Sequence, residues 1–432
     1  MVISIVIIGG IDKAVNMIFM QRRIMTSVIL LIAVMMSSGF CSDRFSVDGY
    51  YKNFFVAYEF PSTNITGIRL SSPAGSVSGR LRLNCRWKLQ RNISFALSYD
   101  LAPRVQDRAL FDNSAGAVFF NPLSYRFDDL DSRLYPSMND EVASFAVFQN
   151  LDRAYLKIRT SKADFFLGRQ AIAFGSARAV NPTDVLTPYS FEALDTEDRR
   201  GIDAFRIRVP LGFMSEVDAG YVFGEDFQFE RCAMFLRTKF YVARSDVSLM
   251  VTGFRENLMV GIDFTRSVGG AGVWFEGTHT FSDVLNSNRS ADVRDYFRAT
   301  LGCDYSLGDN TYGFVEYHFN QVGADDTQKY WTNITHPAYT DGSVYLLGRH
   351  YFIPGVVHQL TPLLSSNIEL LCNISDWSVL FAPSFEYNIA KNTYLAGGAF
   401  IGFGKNPSLD EPIRSEFGSY PDIFYTSFRI YF

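Results

Sequence analysis

From Ser78 to Gln90 polar and apolar residues alternate. Arg80, Arg82, Asn84, Arg86 and Lys88 fall on one face, and Leu81, Leu83, Cys85, Trp87 and Leu89 on the other. A period of two is that of a β-strand, whose successive side chains point to opposite faces. The pattern returns where Arg153, Tyr155, Lys157 and Arg159 alternate with Ala154, Leu156 and Ile158. It returns again where Arg298, Thr300 and Asp304 alternate with Phe297, Ala299, Leu301 and Cys303. Beyond residue 36 no apolar run approaches the roughly 20 residues of a spanning helix. A hydrophobic content of 47% excludes disorder. With 40 Lys and Arg against 45 Asp and Glu, the net charge of −5 argues against a nucleic-acid partner. Two folds survive. In a soluble β-protein the polar face meets outside water; in a membrane barrel it lines a wet lumen while the apolar face meets lipid.

Strand counting favours the barrel. Strands are expected at 49–59, 77–89, 92–102, 148–159, 163–171, 201–210, 213–223, 231–241 and 245–254. Others are expected at 258–266, 271–281, 294–306, 311–321, 343–360, 366–374, 377–388, 392–403 and 422–432. The count of about 18 strands, with 16 as the alternative, is an even number, as single-chain bacterial barrels require. The connections sort by parity. Those at Gln90-Arg91, 160–162, 308–310 and Lys391 are short; those near 103–147, 172–200, 322–342 and 404–421 are long and fall at the other end. The fold class expected is all-β, a transmembrane antiparallel up-and-down barrel. Cys85, Cys232, Cys303 and Cys372 are expected on the lipid-facing row, where separate strands do not bring them into disulfide geometry.

The N-terminal segment reads as a secretory signal. The basic stretch Met20-Gln21-Arg22-Arg23 precedes an apolar run from Ile24 to Met36, then the small residues Ser37, Ser38 and Gly39. Residues 1–41 are therefore expected to be a signal peptide with an upstream extension, and 42–432 the barrel domain. The chain closes on a strand placing Phe424, Phe428, Ile430 and Phe432 on one face. A terminal aromatic behind alternating apolar residues looks like the signal by which Gram-negative outer-membrane barrels are recognised for insertion, with Phe428, Ile430 and Phe432 as its elements. That likeness implies an outer-membrane location, lipid around the wall and the barrel-assembly machinery as a partner.

Several motifs carry a further likeness. They are Arg-Ala-Tyr-Leu (153–156), Gly-Arg-Gln (168–170), Asn-Pro-Thr-Asp-Val-Leu (181–186) and Arg-Arg-Gly-Ile-Asp-Ala-Phe-Arg (199–206). Gly-Ile-Asp-Phe (261–264) and Gly-Arg-His-Tyr-Phe (348–352) follow. Together they resemble a group of bacterial porin-like outer-membrane barrels, with a fainter likeness to the 18-stranded alginate-export type. Where the fuller pattern has Trp-Gly after Gly-Arg-Gln, this chain reads Ala-Ile-Ala-Phe-Gly. The resemblance implies the barrel; its motifs do not name a solute.

No Gly-x-Ser-x-Gly elbow, His-Glu-x-x-His or phosphate-binding loop occurs, and the five histidines have no metal-ligand spacing. Neither catalytic residues, nor a cofactor, nor a metal is expected. The polar face carries the functional expectation. Arg80, Arg82, Arg86, Lys88, Arg153, Lys157, Arg159, Arg206 and Arg208 would form a basic wall of the lumen. Asp263, Glu276, Glu316 and Glu386 would form an acidic wall, setting a transverse field that selects solutes. The loop 172–200 carries Asp184, Glu192, Asp195, Glu197 and Asp198 among apolar residues that a solvated loop gains nothing by exposing. Folding inward, it would face its acids to the basic strands and constrict the pore. The leading function is a porin-like channel for passive transport of small polar or charged solutes. A structural or adhesive barrel with ligand-binding outer loops, and a barrel-wall hydrolase, stay open, as does homo-oligomer formation.

Overall fold

The structure is a computed structural model describing residues 44–61, 73–111, 125–130, 132–189, 191, 193–212, 214–286, 294–408 and 410–432. The expected signal peptide, its upstream extension and Glu192 lie outside the described residues. Eighteen antiparallel strands close into a ring. In order they are β1 (Phe45–Glu59), β2 (Ala74–Lys88), β3 (Ile93–Gln106), β4 (Phe145–Arg159), β5 (Asp164–Gln170) and β6 (Ile202–Pro210). Then come β7 (Glu216–Val222), β8 (Ala233–Val242), β9 (Ser245–Phe254), β10 (Asn257–Val268), β11 (Ala271–Phe281) and β12 (Tyr296–Ser306). The ring ends with β13 (Thr311–Asn320), β14 (His350–Thr361), β15 (Leu364–Asn373), β16 (Ser378–Ala390), β17 (Thr393–Phe403) and β18 (Asp422–Tyr431). Each strand pairs with the next, and β18 returns to β1 from Tyr50↔Tyr431 to Glu59↔Asp422. Gly49 and Phe432 then exchange a pair of backbone hydrogen bonds of 2.9 Å, which finish the seam. A closed ring leaves no edge strand, the condition for crossing lipid with β-structure. A short extra strand, Ser132–Tyr135, pairs outside the ring with the far end of β4.

Along β9 the exposure alternates with the sequence. Ser248, Met250 and Thr252 are 5%, 4% and 1% exposed, while Leu249 and Val251 between them are 49% and 44% exposed. The apolar row therefore points out, the reverse of a soluble fold, and a period-two sequence with lipid on one side requires that. At the end of the ring that holds the start of β1, every connection is short, from 243–244 to the five residues of 211–215. The long connections 107–144, 171–201, 321–349 and 404–421 share the other end, hereafter the outer end.

Two expectations need correction. The strand expected over 343–360 begins only at His350. Val344, Tyr345, Leu346 and Leu347 are apolar and buried, but among folded-in loops rather than in the wall. Cys232 does not face lipid. It is buried directly after the 3₁₀ turn Phe229–Arg231, where its sulfur accepts the Gly224 N–H at 3.4 Å. The four described cysteines are free thiols.

The outer half of the lumen is packed. Ile172, Phe174, Val185 and Leu186 lie against the inward faces of β6 to β10 through Ile202, Ala204, Val222, Phe235 and Met250. Across the ring, Tyr345, Leu346, Phe417 and Tyr420 from the loops 321–349 and 404–421 pack on Phe54, Tyr351, Ile353, Leu371 and Leu380 of the wall.

Candidate functional site

The loop 171–201 leaves β5 at Gln170 and turns into the barrel. Gly175 makes its first close approach. Its φ is +98°, and a Cβ there would lie 2.8 Å from both Glu276 carboxylate oxygens, so only glycine fits. The Glu276 carboxylate on β11 accepts the backbone N–H groups of Ser176 (3.1 Å), Ala177 (3.2 Å) and Thr183 (2.7 Å), and the Thr183 hydroxyl (2.6 Å). Asp263 on β10 accepts the Ser176 hydroxyl. Glu316 on β13 accepts the Arg178 N–H, the Ala179 N–H (2.9 Å) and the Trp274 indole N–H (2.8 Å). From β12, Thr300 donates to the Val180 carbonyl at 2.9 Å and Arg298 to the Pro182 carbonyl at 2.7 Å.

Asp263, Glu276 and Glu316 were expected to stand as an acidic wall facing water. The loop backbone covers Glu276 and Glu316, while Asp263 takes the Ser176 hydroxyl, because a loop entering the lumen brings unsatisfied N–H groups that buried carboxylates can satisfy. Glu386 stands apart from these three, paired at 2.5 Å with Arg429 of β18.

The far part of the loop reaches β1, β2 and β18, half a turn round the ring from β10 and β11. Asp195 pairs with Lys52 (2.8 Å) and Arg80 (3.0 Å), and Glu197 with Lys52 (2.7 Å). Asp198 lies 3.7 Å from Arg82 and accepts the Tyr50 hydroxyl at 2.7 Å, while the Tyr431 hydroxyl donates to Glu197 at 2.6 Å. Burial raises the Asp195 carboxyl, but Lys52 and Arg80 outweigh it and hold the group below the usual aspartate range.

Asp184 does not face the basic strands. It is fully buried within its own loop, 3.1 Å from Arg199, and accepts the Thr187 N–H at 3.2 Å. Burial pushes its pKa up to about 6 even against the Arg199 charge. The loop acids meet β1 and β2 and not β6, whose arginines are already taken.

The basic wall is correspondingly different from the one expected, since nearly every cation has a neighbouring acid. Arg82 bridges Asp152 (2.8 Å) and Asp100 (3.5 Å), and Arg80 also reaches Asp100 (2.8 Å). Arg153 holds Asp152 at 2.6 Å, and so does Arg126 at 3.4 Å from the loop 107–144. Nearer the short-turn end, Arg86 pairs with Asp48, Lys157 with Asp164 (2.8 Å) and Arg159 with Asp164 (3.4 Å). Arg206 pairs with Asp218 (2.5 Å) and Arg208 with Glu216 (2.6 Å). Lys88 is exposed at the rim. The physical reason is cross-strand adjacency: opposite charges on neighbouring strands neutralise each other before either meets the water column.

Sequence reasoning missed Asp48, Lys52, Asp100, Arg126, Asp152, Asp164, Glu216, Asp218 and Arg429. Asp152 was hidden by a bulge. Ser98 pairs with Arg153 and Tyr99 with Leu151, so Asp152 is the extra residue. Asp100 was within reach, because the short turn 89–92 sets it opposite Arg82.

Water-accessible space remains beside the loop, along β15 to β18. A cavity of about 480 Å³ lies between Val180, Tyr189, Phe191 and Leu194 on the loop and Asn367, Glu369, Ser384, Phe400 and Tyr425 on the wall. A second, of about 400 Å³, continues from it past Leu194, Thr196, Asn367, Ser384 and Tyr425 to Glu386 and Arg429. The terminal strand turns Phe424 outward to lipid, and Ile430 and Phe432 pack outside on Tyr51 and Leu81. Phe428 shares their face, opposite the buried Ser427. The motif residues Arg169 and Asp203 form a fork-to-fork pair of 2.8 Å hydrogen bonds that ties β5 to β6, an architectural role. Among the described residues no group of His, Cys, Asp and Glu is arranged to hold a metal.

Ring closure and an outward apolar row define a transmembrane β-barrel of the porin-like kind. No family model matches the chain, and no curated protein matches its sequence. Solved structures match its fold. OccAB4 of Acinetobacter baumannii aligns over 91% of this chain and 100% of its own, at 9% identity and a TM-score of 0.56. OccAB3 of the same organism aligns over 90% and 99%, at 8% identity and 0.56. OccD3 (OpdP) of Pseudomonas aeruginosa aligns over 90% and 91%, at 11% identity and 0.53. At such identity the likeness is one of fold.

Proposed function

We propose that this protein is a porin-like channel of the bacterial outer membrane, passing small polar or charged solutes without an energy source. One observation carries the reading: a loop spans the lumen, anchored at both ends, and leaves two adjoining cavities along β15 to β18. A barrel built only as a scaffold has no need to hold a loop across its centre while keeping a polar passage beside it. The fold shared with OccAB4 and OccD3 supports the same conclusion. Aligned side chains and the bound loop narrow the path to a part of the lumen, where charge and width decide what enters. On this reading the outward row meets lipid, and the strand ending in Phe428, Ile430 and Phe432 engages the assembly machinery.

The loop is the constriction. Its Asp195, Glu197 and Asp198 fasten it to the basic sector, and the carboxylates of Asp263, Glu276 and Glu316 fasten its other limb. Purified protein reconstituted in a planar bilayer is expected to give discrete conductance steps, and vesicles containing it to swell in small neutral and zwitterionic solutes. A folded, heat-modifiable barrel that stays electrically silent and impermeable would refer the function to its outer loops instead.

A further inference from the structure

The cavity beside the loop holds one carboxylate that nothing answers. Glu369 on β15 lines it, and among the described residues no hydrogen bond or ion pair reaches that side chain. Two of the three arginines around the cavity are ion-paired, and the third bonds backbone carbonyls. Arg178 pairs with Asp304 at 2.9 Å and Arg199 with Asp184 at 3.1 Å. Arg298 gives its two terminal nitrogens to the Ser343 and Pro182 carbonyls, both at 2.7 Å, and its Nε is sealed from solvent. The charge that acts on Glu369 is that of another acid, Glu316. An incoming cation therefore finds in Glu369 a carboxylate with no ion-pair partner among the described residues.

Five aromatic residues share this lining. Phe191 meets Phe400 edge-on at 6.3 Å, and Phe400 stacks with Tyr425 at 5.9 Å; Tyr189 and Tyr345 complete the wall. The Tyr189 ring already carries the Arg199 guanidinium at 4.0 Å, so a cation sits on one of these faces in the structure itself. Ring faces attract cations, and rings that share a cavity with a carboxylate suit an alkylated ammonium group. An anion gains neither contact here.

We propose that Glu369 and these rings form a binding subsite for the ammonium group of an organic cation. The proposal rests on reading the two cavities as the passage. It makes Glu369 the residue that sets which solutes dwell there. Cations with an apolar skirt, such as quaternary or alkyl ammonium groups, are held; acetate and other simple anions are not.

The test uses the full barrel in detergent and in a planar bilayer, with tetramethylammonium and choline as probes and acetate as control. Calorimetry is expected to show saturable binding of both cations to the wild type, weakened roughly tenfold or more in Glu369→Gln, which corresponds to about 1.4 kcal/mol. Glu369→Asp should retain part of the affinity. In the bilayer, millimolar choline should interrupt potassium current in the wild type and not in Glu369→Gln. Heat-modifiability on a gel confirms that each variant is folded. Equal cation affinity in wild type and Glu369→Gln, or acetate binding as tight as choline, overturns the subsite. A silent wild-type barrel that still binds choline through Glu369 would overturn the channel reading and leave the subsite standing. A conducting barrel that choline neither binds nor blocks would do the reverse.

Discussion

Replacing Glu276 with leucine should unseat the loop while leaving the ring intact. The side chain is fully buried and accepts four hydrogen bonds, three from backbone N–H groups and one from the Thr183 hydroxyl. Leucine accepts none. A buried donor deprived of its acceptor costs about 1–3 kcal/mol. With water reaching two of the four, the other two together cost about 2–6 kcal/mol. That changes the ratio of seated to unseated loop by roughly 30- to 20,000-fold. Ring strands are held by their own ladders, so the loss falls on the loop. Gly175→Ala attacks the same contact from the loop side, since its Cβ would lie 2.8 Å from the Glu276 oxygens. Single-channel recording reads the outcome: both variants should show larger, noisier open currents, and added protease should cut between residues 176 and 194 faster than in the wild type. Wild-type conductance and wild-type protection in a folded Glu276→Leu barrel would refute the claim that this carboxylate seats the loop.

Three further outcomes follow from the same geometry. Leu83→Arg puts charge against lipid, at roughly 2–4 kcal/mol near the midplane. Arg82→Leu strips the buried Asp100 and Asp152 of a counter-charge, at about 3–5 kcal/mol. Urea unfolding in vesicles of differing acyl-chain length should show a thickness-dependent defect for the first and a thickness-independent one for the second; the same dependence in both would mean that the faces are misassigned. Glu416 in the loop 404–421 is buried, accepting the Leu347 N–H at 2.9 Å and an Asn373 amide hydrogen at 2.8 Å. Burial lifts its pKa from 4.5 to about 8, so the protonated form favours the seated loop. The stabilisation is complete below about pH 4.5 and is lost as pH rises through about 8. The protection of amides in 404–421, corrected for the intrinsic pH dependence of exchange, should fall across that window in the wild type and stay level in Glu416→Gln. Deleting Phe432 removes the last backbone pair to Gly49 and a packing partner of Tyr51 and Leu81. It should lower the yield of heat-modifiable barrel in outer-membrane fractions, and an unchanged yield would count against its role in closure and assembly.

The barrel was legible because its signal is repeated in every strand and rests on one physical rule. A residue such as Leu249 must face lipid if Ser248 faces inward, and eighteen such strands leave little freedom. The parity of the connections added a long-range constraint that strand propensity alone lacks. The site was legible in residue type and much less in pairing. Asp195 could be seen as an inward acid, but its partner Lys52 lies on a strand where both faces are largely apolar. Asp100 was recoverable from the register of a short turn. Asp152 was not, since one extra residue shifts every later side chain and leaves no mark on the alternation beyond it. Glu276 and Glu316 looked like pore lining because position on the inner face does not reveal that a loop will cover it. The run from Val344 to Leu347 looked like a strand because lipid and a packed loop core reward the same apolar residues.

The passage between the loop and β15 to β18 can be tested by thiol modification during single-channel recording. Ser384, on β16, lines both cavities, whereas Thr252 is buried on the inner face of β9 between Met250 and Phe254 of the apolar cluster under the loop. A water-soluble, positively charged methanethiosulfonate reagent is added to Ser384→Cys, to Thr252→Cys and to the wild type, which controls for the native cysteines. If solutes pass where the cavities lie, current through Ser384→Cys drops in discrete, irreversible steps, while Thr252→Cys and the wild type carry on unchanged. Undiminished current through a fully labelled Ser384→Cys barrel would contradict the account.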